Sequence, residues 1–325
     1  LDQSGVHFTD FVIEDADAKK LTIDGDILTT DFAKLGFDLH IVTKDFQPVN
    51  STVADNPLFY GRLSLDADVK LKGDTKNPRL TADIKINKSS DLTYALPGSE
   101  LQLVTSEGVV EFLDPTRLND SVLALAGDYL TDSIISRLTG LDLALNLEID
   151  PEAKFNVDID PKSGDFLTVS GAAKLNFTAD ANGKQSITGV YEVKNGVYQL
   201  SFYGLVKKTF TIAPGSTVAW SGRPMDADLD ITAEYEVRTS SVSLVANETA
   251  GMSDAEKQSF NKRLPYVVKL NINCFLAEPE ISFNIDLPEK YMLTYPLVAT
   301  KLALLNSEEN KADLNKQVFA LLVTG

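Results

Sequence analysis

The densest run of reactive groups in the chain is Asp226, Asp228 and Asp230, three carboxylates at alternate positions. Such a run suggests a cation site, but on a strand alternate side chains share one face about 7 Å apart, too far for one ion to be held by all of them. It reads as a solvated acidic face, as do Asp66 and Asp68. His7 and His40 are the only histidines, and neither has a Cys or Glu cluster at metal-ligand spacing. Nucleophilic catalysis needs a Ser or Cys with a base and an orienting acid, and no GxSxG elbow occurs; the many acid pairs single out no two for glycosidase-type chemistry. The one cysteine, Cys274, sits in the apolar run VVKLNINCFL and reads as an inert core thiol, while Trp220 beside Gly215 and Gly222 reads as packing at a strand end. The expectation is therefore no enzyme, no metal and no cofactor.

The elements that position these residues are set by hydropathy. In GRLSLDADVKLKG, Leu63, Leu65, Ala67, Val69 and Leu71 alternate with Arg62, Ser64, Asp66, Asp68 and Lys70, the period of a strand with one dry and one wet face. The same alternation recurs almost end to end, through residues 80–86, 141–149, 155–159, 167–177, 227–237, 266–272 and 281–287. Turn clusters at residues 72–74 and 160–164, with Asn182-Gly183 and Asn195-Gly196 as tight hairpin connections, predict an antiparallel meander. Helical spacing is rare. It predicts a short helix within residues 250–262 opened by Ser253, and two more over residues 289–322, where Tyr295, Val298, Leu302 and Leu305, then Leu314, Val318, Leu321 and Leu322, repeat at helical intervals with Pro296 in a first turn. Residues 115–140 keep neither period and are expected as an irregular linker or short helix, dividing upstream strands (1–114) from a C-terminal unit with terminal helices (141–325).

Composition limits what such a fold can do. With 43% hydrophobic and 24% charged residues the chain folds, and 30 Lys and Arg against 47 Asp and Glu give a net charge of -17, which disfavours nucleic acid and anionic membrane surfaces as partners. No run approaches the roughly 18 apolar residues of a membrane-spanning helix. The start at Leu1, with neither initiator Met nor secretory signal, points to a segment of a longer protein.

Roughly 16 to 20 half-dry strands with few helices pose a packing problem, because open sheets beyond about 10 strands curl or split. The dry face must meet a second sheet, close into a barrel, or fold lengthwise into a trough filled by an apolar ligand. A single sheet of this many strands would run roughly 80 to 90 Å, a conduit more than a pocket. The candidate lining of such a trough is Leu63, Leu65, Val69, Leu71, Leu80, Ile84, Ile86, Leu141, Leu143, Leu145, Leu147, Phe155, Val157, Ile159, Leu167, Val169, Leu175, Phe177, Leu229, Ile231, Tyr235, Val268, Leu270, Ile272, Phe283 and Ile285, with Phe8, Phe11 and Phe202 as further aromatic contacts.

Residues 195–235, NGVYQLSFYGLVKKTFTIAPGSTVAWSGRPMDADLDITAEY, resemble the C-terminal domain of the TamB family, as does the tail LALLNSEENKADLNKQVFALL at 302–322. Upstream, GDFLTVSGAAKL (164–175) and YGRLSLDADVKLKGDTKNPRLTADIKI (60–86) are similar to AsmA/TamB-type repeating strands. The resemblance implies a β-taco, a long antiparallel-rich sheet curled into a U-shaped groove with an apolar lumen. It also implies a periplasmic position in a diderm bacterium, an inner-membrane anchor N-terminal to this sequence, and an outer-membrane partner of the Omp85 family, TamA-like. The expected ligand is a phospholipid or another acyl chain, shielded for transfer between inner and outer membranes. The rival expectation is a scaffold or chaperone for outer-membrane protein insertion, of the autotransporter type. Alternation alone would also allow a transmembrane barrel.

Overall fold

The computed structural model describes residues 4–31, 34–95, 140–160, 164–202, 206–278 and 280–324; apart from Gly140, the segment expected as a linker lies outside them. The described strands make one mixed sheet of 15. In chain order they are β1 (Gly5–Glu14), β2 (Lys20–Asp31), β3 (Lys34–Ser51), β4 (Phe59–Asp74), β5 (Arg79–Ile86), β6 (Asp91–Ala95), β7 (Asp142–Ile149), β8 (Lys154–Asp160), β9 (Asp165–Ala179), β10 (Gln185–Phe202), β11 (Val206–Ile212), β12 (Thr217–Gly222), β13 (Asp228–Ser240), β14 (Arg263–Phe275) and β15 (Glu280–Asp286). Strands from both sides of residues 96–139 belong to this sheet.

The meander expectation holds for most neighbours and fails at two. β5 pairs with β7, and β6 with β8, in parallel. A parallel neighbour needs a long crossover, and the chain between β6 and β7 supplies the length. β4 runs beside both β5 and β6, β9 beside both β7 and β8, and β10 beside both β11 and β12. Three lanes of the sheet are thus each made of two short strands separated by a break.

The breaks line up. Ile86 pairs with Leu65 and Asp91 with Arg62, so the gap at residues 87–90 faces Leu63 and Ser64 of β4. Ile149 pairs with Ile86 and Lys154 with Asp91, which puts the gap at 150–153 directly beside it. β10 carries a register shift between Val193 and Asn195, opposite the gap between β11 and β12, and β3 shifts register between Thr43 and Phe46 and again between Phe46 and Val49, opposite the part of β4 that faces the gap between β5 and β6. Bulges bend strands and raise their twist, so this line of interruptions is where a sheet of such width can crease across its strands.

Small buried side chains stitch the crease. Ser64 and Ser90 are each 2% exposed; the Ser64 amide donates to the Ser90 hydroxyl and the Ser90 hydroxyl donates to the Ser64 carbonyl, both at 3.0 Å. At the β3 bulge, Asp45 adopts φ 54° and its amide donates to Asp66 at 2.8 Å, an acceptor shared with the Asn87 side chain. The Ser64 hydroxyl in turn donates to Asp45, and that bond, ahead of Lys19, holds the Asp45 carboxyl below its ordinary value.

Two hairpin expectations separate here. Asn182-Gly183 does turn β9 into β10, with the Gly183 amide donating to the Asp180 carbonyl at 2.8 Å. Asn195-Gly196 does not turn. It lies inside β10 beside the bulge, where a Cβ on Gly196 would stand 2.8 Å from Ile212 Cδ1, so the glycine serves close strand approach. The helices follow expectation with one addition. α1 (Asp254–Gln258) opens on Ser253 with a capping box to Glu256, and the tail holds three helices instead of two: α2 (Glu289–Thr294), α3 (Pro296–Leu305) and α4 (Lys311–Thr324). Tyr295 at φ −123° and ψ 67° separates α2 from α3, and Pro296 restarts the helix at its first position.

The main core joins β10, β11 and β13–β15 to α3, α4 and the connector between β13 and β14. A smaller cluster around Ile149, Ala153, Ala173 and Leu175 sits beside the crease.

Candidate functional site

Ladder registers show how the expected lining residues assemble. Phe11, Ile23, Ile41, Val69, Ala82, Leu145, Phe177 and Ile187 are consecutive cross-strand partners, giving one apolar row across eight strands. Two residues along, Ile13, Leu21, Thr43, Ala67, Ile84, Leu147, Leu175, Gly189 and Trp220 make a second. A third runs through Leu39, Leu71, Leu80, Leu143 and Ala179. At the crease lie Phe46, Leu65, Ile86, Ile149, Ala173, Tyr191, Val218, Leu229 and Cys274. Beyond it, Leu92, Phe155, Val169, Gly196, Ile212, Ala233, Leu270 and Phe283 form the next row. The last rows join Tyr94, Val157, Leu167, Tyr198 and Phe210, then Tyr235, Val268 and Ile285, with the Phe210 and Tyr235 rings 5.7 Å apart.

All these side chains belong to one face of the sheet, because positions two apart in a strand point the same way and each bulge resets the parity by one. Of the remaining expected residues, Ile231 pairs with Ile272 and Ile272 with Ile281, Leu63 pairs with Val49, Leu141 immediately precedes β7, and Ile159 falls at an irregularity in β8. The Phe202 side chain lies outside the described set.

The opposite face is mainly polar in register, with Val12, Val42 and Val190 as exposed exceptions. Val42, Asp68, Asp83, Asn146, Asn176 and Thr188 form one row, and Asp66, Lys85, Glu148 and Lys174 another. His40 bonds Asp68 at 2.9 Å, Asn146 donates to Asp83 at 2.6 Å, and Lys85 lies 3.2 Å from Glu148. These exposed pairs add little stability but keep the face wet and discourage sheet-to-sheet association. Asp226 is held by Arg223 through two hydrogen bonds, whereas Asp228 and Asp230 stand exposed on β13. Trp220 packs beside the smaller cluster and donates its indole N–H to the Pro224 carbonyl at 3.1 Å. Partial burial and the carboxylates of Glu280 and Asp228 push the Cys274 thiol up, away from the thiolate.

Burial divides the apolar face. Leu63, Leu65, Val69, Leu71, Leu80, Ile84, Ile86, Leu143, Leu145, Leu147, Phe155, Val157, Leu167, Val169 and Phe177 are half-buried. Val268 and Ile285 are 0% and 1% exposed and, with Leu270, belong to the core cluster that also holds the buried residues of α3 and α4. Among the described residues the main helix-to-strand packing falls on β13 and β15. An open hollow of about 580 Å³ is lined chiefly by the polar face, with Asp66, Asp68, Asp83, Lys85, Asn146 and Glu148 around it, and none of Leu65, Val69, Leu145 or Phe177 borders it, so it is a depression of the wet surface and not a pocket in the apolar rows.

Several residues of these rows escape simple alternation. Phe46 lies past the β3 bulge and Gly196 and Tyr198 past the β10 bulge, while the β11 partners Phe210 and Ile212 are too short a run to register; the skipped residues Lys44-Asp45 and Lys194 are the only sequence trace. No helix of the described residues is long and apolar enough to cross a membrane. Compared with protein-family models, residues 9–325 match the one described as the TamB C-terminal domain. No curated protein matches the chain.

Proposed function

Because this chain belongs to the TamB C-terminal domain family, part of the translocation and assembly module of the diderm envelope and allied to an outer-membrane TamA-type protein, we propose that its apolar sheet face shields phospholipid acyl chains in transit between the two membranes. The observation that carries the reading is the set of mainly apolar rows in cross-strand register on one face, the first running from β1 to β10 and later ones reaching β14 and β15, with many members half-buried. On this reading the line of aligned breaks folds the sheet into a U whose inner wall those rows supply. Hydrophobic burial is non-directional, so such a wall holds acyl chains without fixing them and lets them slide. Each buried CH₂ gains about 0.8 kcal/mol, so a lipid with two long chains faces a barrier of order 20 kcal/mol in bare water, most of which the wall removes.

The full-length protein would be anchored in the inner membrane and reach the outer one through the periplasm. Its lining acts collectively, with no single indispensable side chain. Placing a charge in the rows, by Leu145→Asp or Ile231→Arg, is expected to impair lipid transfer in vivo far more than Asp228→Ala on the wet face, at equal protein levels. Equal effects of all three would remove the reading's support. The scaffold alternative, in which the sheet helps outer-membrane clients pair their strands, predicts polypeptide instead of acyl products when crosslinkers are placed at Ile84 or Leu145.

A further inference from the structure

Resting on the acyl-shielding reading above, we propose that the sheet face beneath α3 and α4 is a cryptic second stretch of the acyl-binding path, and that the two helices are its removable cover. The rows do not end where the helices begin. Val169, Gly196, Ile212, Ala233, Leu270 and Phe283 are successive ladder partners, so one row without a polar side chain passes from the half-buried strands to the covered ones. The cover has the chemistry of the ligand it excludes: Val298, Leu302 and Leu305 of α3 and Leu314, Val318 and Leu322 of α4 present aliphatic groups to the sheet. A saturated chain lying on Val268 and Ile285 would make the same kind of contact, and cover and ligand would exchange like for like.

Among the described residues, two polar ties join the cover to the rest of the fold. The Asn306 side chain accepts the Ile285 amide and donates to the Ile285 carbonyl, both at 3.0 Å, taking on the outer edge of β15 the place of a neighbouring strand's peptide. Lys301 donates to Glu248 at 2.6 Å, tying α3 to the connector between β13 and β14. The helices also expose apolar side chains, Leu304, Phe319 and Val323, next to the charged Lys311, Asp313 and Lys316 at the start of α4.

The test uses the full-length protein in cells with a small diazirine amino acid at Leu270, under the cover, and separately at Leu145, in the open rows. Acyl-lipid adducts are expected at Leu145 in every background. At Leu270 they are expected to be weak in the unaltered protein and to rise roughly tenfold when Asn306→Ala and Lys301→Ala release both ties, as loss of a little over 1 kcal/mol of cover stability implies. Lys301→Ala alone, which removes only the partly exposed tie, should give a smaller rise and serves if the double variant does not keep its sheet by circular dichroism. Acyl adducts at Leu145 with none at Leu270 in any folded variant, or adducts at Leu270 only to polypeptide, would make the helices a permanent part of the core and overturn the proposal while leaving the shielding reading standing. Absence of acyl adducts at both positions would defeat that reading itself.

Discussion

Two side chains concentrate the physics that a sequence cannot display. Tyr191 stands at the crease with its hydroxyl buried and without a hydrogen-bond partner, and burial pushes its pKa up to about 12. An orphaned hydroxyl costs stability, so Tyr191→Phe should be neutral or stabilising by up to about 1 kcal/mol in urea unfolding, whereas truncation to Ala leaves a cavity and should cost about 3 kcal/mol or more. The sign of the pH effect follows from the raised value. Below pH 10 both folded and unfolded forms keep the proton; between pH 10 and about 12 only the unfolded phenol ionises, so stability falls over that window. Stability curves of Tyr191→Phe should be flatter there than those of the parent protein. Ser90 is the second. Its hydroxyl both donates to and accepts from the Ser64 backbone, and Ser90→Ala should cost about 1 to 3 kcal/mol by leaving a buried amide and carbonyl short of partners. A loss within error of zero, measured by the same urea titration, would mean that water replaces the pair. Nothing in the sequence marks Ser90 apart from other serines, because its importance comes from which loop faces Ser64.

At the scale of elements, alternation reveals strands and conceals their breaks. Leu63 through Leu71 and Leu141 through Ile149 are legible because each side chain obeys one parity over a whole strand. Phe46, Gly196 and Ile212 were harder to place because a bulge or a split lane shifts parity, and a pair such as Asn195-Gly196 carries the same local signal as the true turn at Asn182-Gly183. Turn propensity is local; whether a glycine turns the chain or lets two strands approach depends on the partner strand. The parallel pairing of β5 with β7 is set by a connection whose course periodicity does not encode. The tail was readable for the opposite reason, since Val298, Leu302, Leu314, Val318, Leu321 and Leu322 keep helical spacing and all are buried. Leu322, 1% exposed, should cost about 2 to 5 kcal/mol on truncation to Ala, and the loss should appear first as faster amide exchange in α4. Uniform acceleration across β2 to β5 would show instead that helices and sheet unfold as one unit.

For the whole molecule, the decisive property is the difference between two faces of one sheet. One carries mainly apolar rows in register, each across several strands; the other carries acids and lysines of a chain with net charge -17. A two-layer sandwich would bury such rows throughout; here burial is deepest in the core that includes α3 and α4, where Val268 and Ile285 disappear from solvent, with a smaller buried cluster at Ile149, Ala173 and Leu175. Elsewhere Leu145 and its neighbours are half-buried, the condition of a wall that has something left to bind. Because the attraction is hydrophobic, occupancy should respond weakly to salt, unlike binding that depends on charge. The account therefore turns on whether apolar ligand occupies these rows. Native mass spectrometry of the purified protein is the most direct check: adducts with phospholipid masses are expected on the parent chain, persisting at high salt and sharply reduced by Leu145→Asp while Asp228→Ala retains them. A folded parent chain that carries no lipid even after incubation with phospholipid vesicles, or a Leu145→Asp variant that carries as much as the parent, would contradict it.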